Sequence, residues 1–392
     1  MKKILIILFA LLFSTPVFSM SIYEKIDERL DVIQEGLTGN ENKPEEVISA
    51  IKSIIETSNK YENKYPEYRE LFMYITTDFE EYLDEYKKEA GYINIFSHAS
   101  DLGEISQLEV FQKEFSYQGN SYFIMRKFSQ NSQEKYLVLQ DNTYETSVVL
   151  AGNIRDTANY SELYNLSDYK KHQDTVYEHV PNTQSPLQNN GITHNHSDDE
   201  VFLTADFCPS GKHGFEKEFI ENYMSLGHKN IGIAITSSWI QGHQNDYDWL
   251  LEKNNSGELN ISWINHTKTH NYDHGVDFSH NFLLTPGLDL EDELLDVEKK
   301  LLARGQIPSI FMRYPGLVSD DSMRKETIYT YGLIPLGSNA WLAKGESPEE
   351  GSIILIHGNK NEPYGITLMN QILNENNFEY GEIESILHED IK

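Results

Sequence analysis

The stretch LNISWINHTKTH, residues 259–270, joins a short apolar run to a pair of histidines. The run at residues 259–264 is typical of a buried β-strand. If the chain rolls into a helical turn after Asn265, His266 and His270 lie four positions apart on one face of that turn. Both imidazoles then reach one ion. The stretch therefore predicts a strand that ends in a metal site.

The histidine pair alone does not establish a metal site. The chain contains 14 histidines, so pairs at this spacing also arise by chance. A zinc peptidase would need a glutamate directly after the first histidine as general base, and Thr267 stands there instead. A metallopeptidase is therefore disfavoured, and a general base has to come from elsewhere in the chain.

Repeated strand and helix patterns from residue 200 onward predict an α/β fold. Apolar strands are predicted at 201–205, 231–236, 259–264, 309–312, 333–336 and 353–356. Helices are predicted between them, at 214–224, 246–252, 290–303, 322–331 and 366–374. This alternation is typical of a mainly parallel sheet, either a barrel or an open doubly wound sheet.

Ionisable residues follow four of the predicted strands. Asp206 follows the first strand, the two histidines follow the third, Arg313 the fourth and His357 the sixth. In a parallel barrel these strand ends share one rim, where active sites are assembled. Singly, a helix cap, a surface ion pair and a buried histidine explain them. Together at one rim, they predict an active site.

The chain before residue 200 predicts three further segments. Residues 1–19 have the two lysines, short apolar run and small-residue cleavage site of a secretory signal, cut near Ser19. Residues 20–152 are predicted to form an α+β accessory region, helices first and antiparallel strands after them. Residues 153–199 are predicted to connect it to a catalytic domain at 200–392. We expect export to a periplasm or the cell exterior, without a stable membrane anchor.

Composition limits the partners. The net charge of -30 argues against nucleic acid, because such binding depends on Lys and Arg. A neutral or amine-bearing substrate fits better, although acidic charge also simply keeps an exported protein soluble. The single cysteine, Cys208, excludes an internal disulfide. The oligomeric state is left open.

Five segments, in order, resemble the motifs of the polysaccharide deacetylase family, the NodB-homology carbohydrate esterases. They are FLTADFCPSG (202–211), HTKTH (266–270), RYPG (313–316), SNAW (338–341) and LIHGN (355–359). The resemblance covers about residues 200–380. It implies a distorted parallel β/α barrel (NodB-like) and a divalent metal, usually zinc, that serves the hydrolysis of N-acetyl groups on sugar polymers.

The resemblance also implies a role for each matching residue. Asp206 falls on the catalytic base, and His266 and His270 fall on the two histidine ligands of the metal. Arg313 resembles the arginine that orients the base, and His357 resembles the general acid.

Two further matches concern the substrate. Trp341 resembles the aromatic wall of the acetyl pocket, and Pro315 of the RYPG motif is expected to contact substrate.

The first motif departs from the family pattern. Phe207 stands where the family has an aspartate as third metal ligand, and its side chain cannot coordinate a metal. Asp206, Cys208, His213 or a water remain as candidates for the third ligand of the expected zinc ion. Cys208 is attractive as a soft ligand. The sequence alone favours a plainer role for Cys208, a small buried residue at a strand end.

The fourth motif departs as well. Ala340 stands where the family often has an aspartate before the tryptophan. The carboxylate that would tune His357 is then absent, or Asn339 replaces it as a neutral partner.

The predicted function is a secreted, metal-dependent hydrolase that removes N-acetyl groups from a polysaccharide or oligosaccharide. Peptidoglycan, chitin-type oligomers and poly-N-acetylglucosamine are all compatible with the sequence. One alternative is a catalytically inactive glycan-binding protein on a deacetylase scaffold, suggested by Phe207. Another is a related hydrolase of C–N bonds or esters.

Overall fold

A computed structural model describes most of the chain. The described residues are 29–33, 44–64, 69–89, 95–154, 156–179, 186–195, 200–209, 214–375 and 378–388. The predicted signal peptide at residues 1–19 lies outside them, as does His213. Within them, no helix is both long and apolar enough to span a bilayer. They form two compact units, one within 1–94 and 118–120, the other within 95–117 and 121–392. The predicted domain boundaries stay a prediction.

The first unit contains two long helices, α1 (Pro44–Lys64) and α2 (Arg69–Glu89). Apolar side chains recur at helical spacing along both, which gives each helix one face to bury. The buried residues of this core are Leu30, Ile33, Val47, Ile48, Ala50, Ile51, Ile54, Phe72, Ile75, Phe79, Leu83 and Tyr86.

The second unit begins with an antiparallel sheet. Its strands are β1 (Phe96–Ser97), β2 (Ile105–Tyr117), β3 (Asn120–Gln130), β4 (Gln133–Gln140), β5 (Thr146–Leu150) and β6 (Ala158–Asn159). They lie in the order β1-β5-β4-β3-β2-β6. Two helices, α3 (Glu162–Leu166) and α4 (Asp168–Glu178), follow the sheet. The segment predicted to be a connection therefore contains regular structure.

A parallel sheet forms the centre of the same unit. Its strands are β8 (Glu200–Phe207), β9 (Asn230–Ile235), β10 (Asn260–Asn265), β11 (Pro308–Met312), β13 (Ile334–Pro335), β14 (Ala340–Trp341), β15 (Ile353–His357) and β16 (Glu379–Tyr380). The order is β13-β11-β10-β9-β8-β15-β14, with β16 beside β8. All the pairings are parallel. The predicted α/β class, a distorted β/α barrel, is confirmed.

A short segment of the chain bridges the end of β13 and the start of β15. Strand β7 (Leu187–Gln188) pairs with β12 (Val318–Ser319), and Ile192 then bridges to Leu336. His194 bridges to Ser352 next to β15. Backbone hydrogen bonds in both directions between Ile192 and residues 335–337 complete the contact. Residues 192–194 thus join β13, at one end of the sheet, to the start of β15.

Helices cover the outside of the parallel sheet. They are α5 (Lys217–Ser225), α6 (Ser237–Gly242), α7 (Gln244–Asn255), α8 (Leu290–Ala303), α9 (Asp321–Lys325) and α10 (Pro363–Glu375). The helix predicted at 322–331 is shorter, because a π-helical turn occupies residues 326–330. Between α8 and β3 the buried Arg126 binds both carboxylate oxygens of Glu298, at 2.6 and 2.8 Å. This pair links the antiparallel sheet to the barrel.

Candidate functional site

The carboxyl end of β8 directs two polar side chains towards the rim of the barrel and one apolar side chain into the core. Side chains alternate along a strand, so Asp206 and Cys208 share one side and Phe207 takes the other. Oδ1 of Asp206 lies 2.7 Å from Nη1 of Arg313. The ring of Phe207 packs 4.6 Å from that of Trp239. The residue at the family's third-ligand position is therefore a core residue, and the following position faces the site.

The turn that carries the two histidines is irregular, so the predicted helical turn after Asn265 is wrong. Thr267 and His270 have left-handed backbone, with φ of 72° and 49°. Oδ1 of Asn265 accepts a hydrogen bond from the Thr267 amide at 3.0 Å, and Oγ1 of Thr267 accepts one from the His270 amide at 3.2 Å. These side-chain bonds stabilise a tight turn that brings the rings of His266 and His270 within 5.0 Å.

A backbone carbonyl determines which nitrogen of His266 faces the site. Nδ1 of His266 donates to the Arg313 carbonyl at 2.8 Å, since a carbonyl oxygen can only accept. Nε2 is therefore the nitrogen that faces the site. It lies 3.4 Å from Sγ of Cys208 and 3.8 Å from Oδ2 of Asp206. Burial would lower the pKa of His266, but the negative charges of Asp206 and Cys208 raise it, and a metal would bind in place of the proton. A histidine whose outer N–H is held in this way is typical of metal ligands.

Cys208, His266 and His270 form a group of three donors. Their ligand atoms all lie within 4.8 Å of one another. Two imidazole nitrogens and one cysteine sulfur match the donors that zinc prefers, and three protein ligands are typical of catalytic zinc. Of the candidates for the third ligand, Cys208 belongs to this group, whereas Asp206 lies outside it. The side chains present therefore fit the metal that the resemblance implies.

The charge state of Cys208 suits this role. Burial alone would raise the pKa of the thiol, but the neighbouring His270 and His266 together hold it well below its usual range. The thiolate is the form that coordinates metals. The amide of Asn359 also donates to the Cys208 carbonyl at 2.6 Å, which fixes the backbone beside the sulfur.

Arg313 binds Asp206 in the interior. Arg313 is fully buried, and its Nη1 donates both to Asp206 and to Oγ1 of Thr204, each at 2.7 Å. Nη2 donates to the Gly337 carbonyl at 3.0 Å. Burial would raise the pKa of Asp206, but Arg313, followed by His266 and His357, lowers it. The carboxylate is therefore ionised, with Oδ2 on the side of His266.

His357, at the end of β15, lies beside a carboxylate that the sequence did not reveal. Its Nδ1 is 2.9 Å from Oε2 of Glu362, and the same oxygen accepts a hydrogen bond from the Trp341 indole at 2.8 Å. Burial would lower the pKa of His357, but the Cys208 thiolate and the Glu362 carboxylate raise it well above its usual value. Glu362 correspondingly has a lowered pKa, although burial opposes this.

Glu362 corrects the interpretation of the fourth motif. Nδ1 of His357 faces Glu362, whereas Oδ1 of Asn339 accepts a hydrogen bond from the Ile353 amide at 3.2 Å, so Glu362 takes the place proposed for Asn339. Ala340 is buried. The only sequence signal for Glu362 was an acidic residue just before the proline that starts α10.

Trp341 and Pro315, the two predicted substrate contacts, lie near His357 and Arg313. The Trp341 ring lies 6.1 Å from that of His357 and is half-buried, with Nζ of Lys344 3.5 Å from its centroid. Pro315 is buried and opens a short 3-10 turn next to Arg313. Their contact with substrate stays a prediction.

The fold and the site together define a class: a distorted β/α barrel with a carboxylate, two histidines and a cysteine at one rim. No family model matches the chain. The structure is similar to a CE4 family pseudoenzyme from Bacillus anthracis, with 14% identity over 51% of this chain and 70% of that chain, at a TM-score of 0.36.

Two further solved structures are similar to it. One is a family 4 carbohydrate esterase from Bacillus anthracis, with 16% identity over 59% of this chain and 95% of that chain, at a TM-score of 0.39. The other is a family 4 carbohydrate esterase from Bacillus subtilis, with 14% identity over 51% of this chain and 86% of that chain, at a TM-score of 0.38. Carbohydrate esterases are also the class whose motifs the sequence resembles. Because these identities and TM-scores are low, any assignment of chemistry depends on the residues of this chain.

Proposed function

We propose that the protein is an exported, metal-dependent hydrolase that removes N-acetyl groups from a glycan. One observation carries this proposal. Three groups lie side by side at the rim. They are the ionised carboxylate of Asp206, the three donors Cys208, His266 and His270, and the imidazole of His357, whose pKa is raised. Amide hydrolysis needs these three functions: a base for water, an electrophile for the carbonyl, and an acid for the departing amine.

Cys208, His266 and His270 would hold the metal, zinc being the ion that their donor atoms fit. When bound there, such an ion polarises a carbonyl and lowers the pKa of water.

Asp206 would act as the base. Arg313 occupies Oδ1 of Asp206, whereas Oδ2 is directed towards His266 and the three-donor group. Because Arg313 keeps the carboxylate ionised, Oδ2 can accept a proton from an attacking water near neutral pH.

His357 would act as the acid. With Nδ1 directed at Glu362, Nε2 would be the nitrogen that serves the substrate, in place of the hydrogen bond that His357 makes with Cys208. Glu362, which does not belong to the three-donor group, raises the pKa of His357 and so favours the protonated ring, which can deliver a proton to the nitrogen of the departing amine.

The inactive glycan-binding alternative rested on the loss of a metal ligand at Phe207. Cys208 lies with His266 and His270 and offers a donor in its place, which weakens that motive. Hydrolysis of an ester would use the same three functions, and comparing N-acetyl with O-acetyl substrates separates the two reactions.

The test is release of acetate from N-acetylglucosamine oligomers by the zinc-loaded protein. We expect the protein to release acetate, a chelator to abolish this activity, and added zinc to restore it. The Asp206→Asn variant should release no acetate but should still bind the oligomers. If the zinc-loaded wild type binds the oligomers without releasing acetate, the proposed hydrolase activity is refuted and the glycan-binding alternative is supported.

A further inference from the structure

Aromatic side chains are exposed at the rim of the barrel. Among the side chains that the structure describes, the exposed aromatic rings are Tyr272, Phe278 and Tyr364, with 49%, 40% and 58% of their surface accessible. Tyr272 and Phe278 lie in the loop that follows β10 and the two histidines. Tyr364 lies at the start of α10, two positions after Glu362. All three thus follow the carboxyl ends of strands that build the candidate site.

The ring of Tyr272 is held in place by Phe282. The two rings stack at 5.1 Å with an interplanar angle of 16°, and Phe282 also meets the ring of His270 edge-on at 5.6 Å. Phe282 is buried, and Gly316 lies against its ring so closely that a Cβ there would be 2.5 Å from it. Tyr272 therefore has one face packed on the protein, next to the candidate metal ligand His270, and remains exposed on the outside.

The rest of the loop is held by Asn281. Its amide accepts from the Asp273 backbone N–H at 2.9 Å and donates to the Asp273 carbonyl at 2.7 Å. It also donates to the Val276 carbonyl at 3.2 Å. The ring of Phe278 lies 5.7 Å from that of Phe282, the same ring on which Tyr272 stacks. We call Tyr272 and Phe278 the aromatic shelf.

The position of the shelf indicates what it binds. Strands β10 and β15 are separated in the sheet by β9 and β8, which is three spacings of about 4.8 Å, roughly 14 Å in all. The shelf and Tyr364 therefore follow strands that lie on either side of β8, the strand that carries Asp206. A single sugar is too small to span that distance.

The chemistry of the shelf fits a sugar chain. The apolar face of a sugar ring can cover a fixed aromatic ring, and little conformational freedom is lost because the ring is already packed. The Tyr272 hydroxyl lies 3.4 Å from Nδ1 of His274, so polar atoms border the ring, as sugar hydroxyls require. The net charge of -30 opposes a polyanion at this surface.

Resting on the proposed function, we infer that the aromatic shelf and Tyr364 bind the sugar residues on either side of the one that reacts. The protein then acts on chains of several sugars and discriminates against short oligomers.

The test is calorimetric binding of N-acetylglucosamine oligomers of five and two units, β-1,4-linked, to the Asp206→Asn protein. In that background Tyr272→Ala, Phe278→Ala and Tyr364→Ala are each expected to weaken binding of the five-unit oligomer about tenfold. Binding of the two-unit oligomer should change much less. Tyr272→Phe retains the ring and should retain the affinity.

Leu226→Ala is the matched control, since Leu226 is exposed to 44% and follows α5 at the opposite end of the sheet. Equal affinity of the parent for both oligomers, or unchanged affinity in all three alanine variants, overturns the inference. So does a wild-type dimer that the shelf variants convert to monomer, because the shelf would then bind a second copy. Tyr364 lies on a different element, helix α10, so misfolding of a shelf variant leaves the test intact.

Acetate release by the wild type, measured on the same oligomers, separates the two proposals. If binding depends on oligomer length but no acetate is released, the proposed hydrolase function is refuted, and the role of the aromatic shelf in binding sugar chains is supported. If acetate is released but binding does not depend on oligomer length, only the proposed role of the aromatic shelf is refuted.

Discussion

The carboxylate of Glu362 lies 2.9 Å from Nδ1 of His357, and the same oxygen is bound by the indole of Trp341. A residue beyond the fifth motif thus supplies the negative charge that the fourth motif lacks. The acid of the proposed reaction is oriented from the loop before α10, and the candidate acetyl-pocket wall is tied to the same carboxylate.

Replacing this carboxylate should weaken the acid at alkaline pH. Glu362 raises the pKa of His357, so Glu362→Gln should lower that pKa and leave less protonated histidine at a given pH. We expect kcat to fall about 10- to 100-fold, with the alkaline limb of its pH profile moved to lower pH. The measurement is kcat for acetate release between pH 6 and 9. Glu362→Asp should recover part of the activity, and an unmoved alkaline limb would show that Glu362 does not act on His357.

Cys208 is predicted to be needed for metal affinity. Cys208→Ala leaves two histidine donors, and we expect zinc affinity to fall by about 100-fold or more. Competition with a chromogenic chelator measures this without depending on activity. Cys208→Asp, which keeps an anionic donor, should bind more tightly than Cys208→Ala. Wild-type affinity in Cys208→Ala would assign the third ligand to another residue.

Restoring the family's aspartate at Phe207 should damage the fold and leave metal affinity unimproved. The ring packs against Trp239 and Phe215 in the core, so Phe207→Asp would bury a carboxylate among apolar groups. We expect the free energy of unfolding to fall by about 4 kcal/mol, measured by urea denaturation. Phe207→Leu is the apolar control and should cost less. Tighter zinc binding by Phe207→Asp would mean that this side chain can reach the site.

The carboxyl of Glu384, which lies beside Ser262 of β10, should make the stability of the protein depend on pH. Burial raises the pKa of Glu384 to about 7, while Oγ of Ser262 donates to its carboxyl at 2.6 Å. Between pH 4.5 and 7 the folded protein holds a proton that the unfolded chain has lost, so this contribution to stability decreases as pH rises through that window.

Glu384→Gln should therefore match the wild type near pH 4.5 and exceed it at pH 8. We expect a gain of about 2 kcal/mol in the free energy of unfolding at pH 8. Glu258→Gln, at an exposed position, should change stability little at either pH. An equal gain at both pH values would exclude titration of Glu384 as the cause.

Much of the barrel could be predicted because its signals are local. The strands predicted at 201–205, 231–236, 259–264, 309–312 and 353–356 all occur, and α8 spans the predicted residues 290–303. Strand β13 is shorter than predicted, and β14 was not anticipated. Each of these patterns, the apolar runs and the helical periodicity, is formed by residues that lie close together in the sequence, so the sequence displays it directly.

The turn of the HTKTH motif was predicted to bring its histidines together, but for the wrong reason. Helical spacing suggested their proximity, whereas hydrogen bonds from the side chains of Asn265 and Thr267 produce it. Such local side-chain bonds compete with helix formation and depend on backbone angles that residue spacing does not reveal.

By itself, the sequence determined the class of fold, the rim at which polar residues gather, and the positions of Asp206, Arg313, His357 and the two motif histidines along the chain. The tertiary structure decided which side chains meet there: Cys208 with the histidines, Glu362 with His357, and Phe282 with His270 and Tyr272. The difference arises from the distance along the chain over which the interactions act. Strand and helix patterns arise from neighbours in sequence, whereas donors and partners at a site are selected by distances between elements that are far apart in the chain and are set only when the sheet packs.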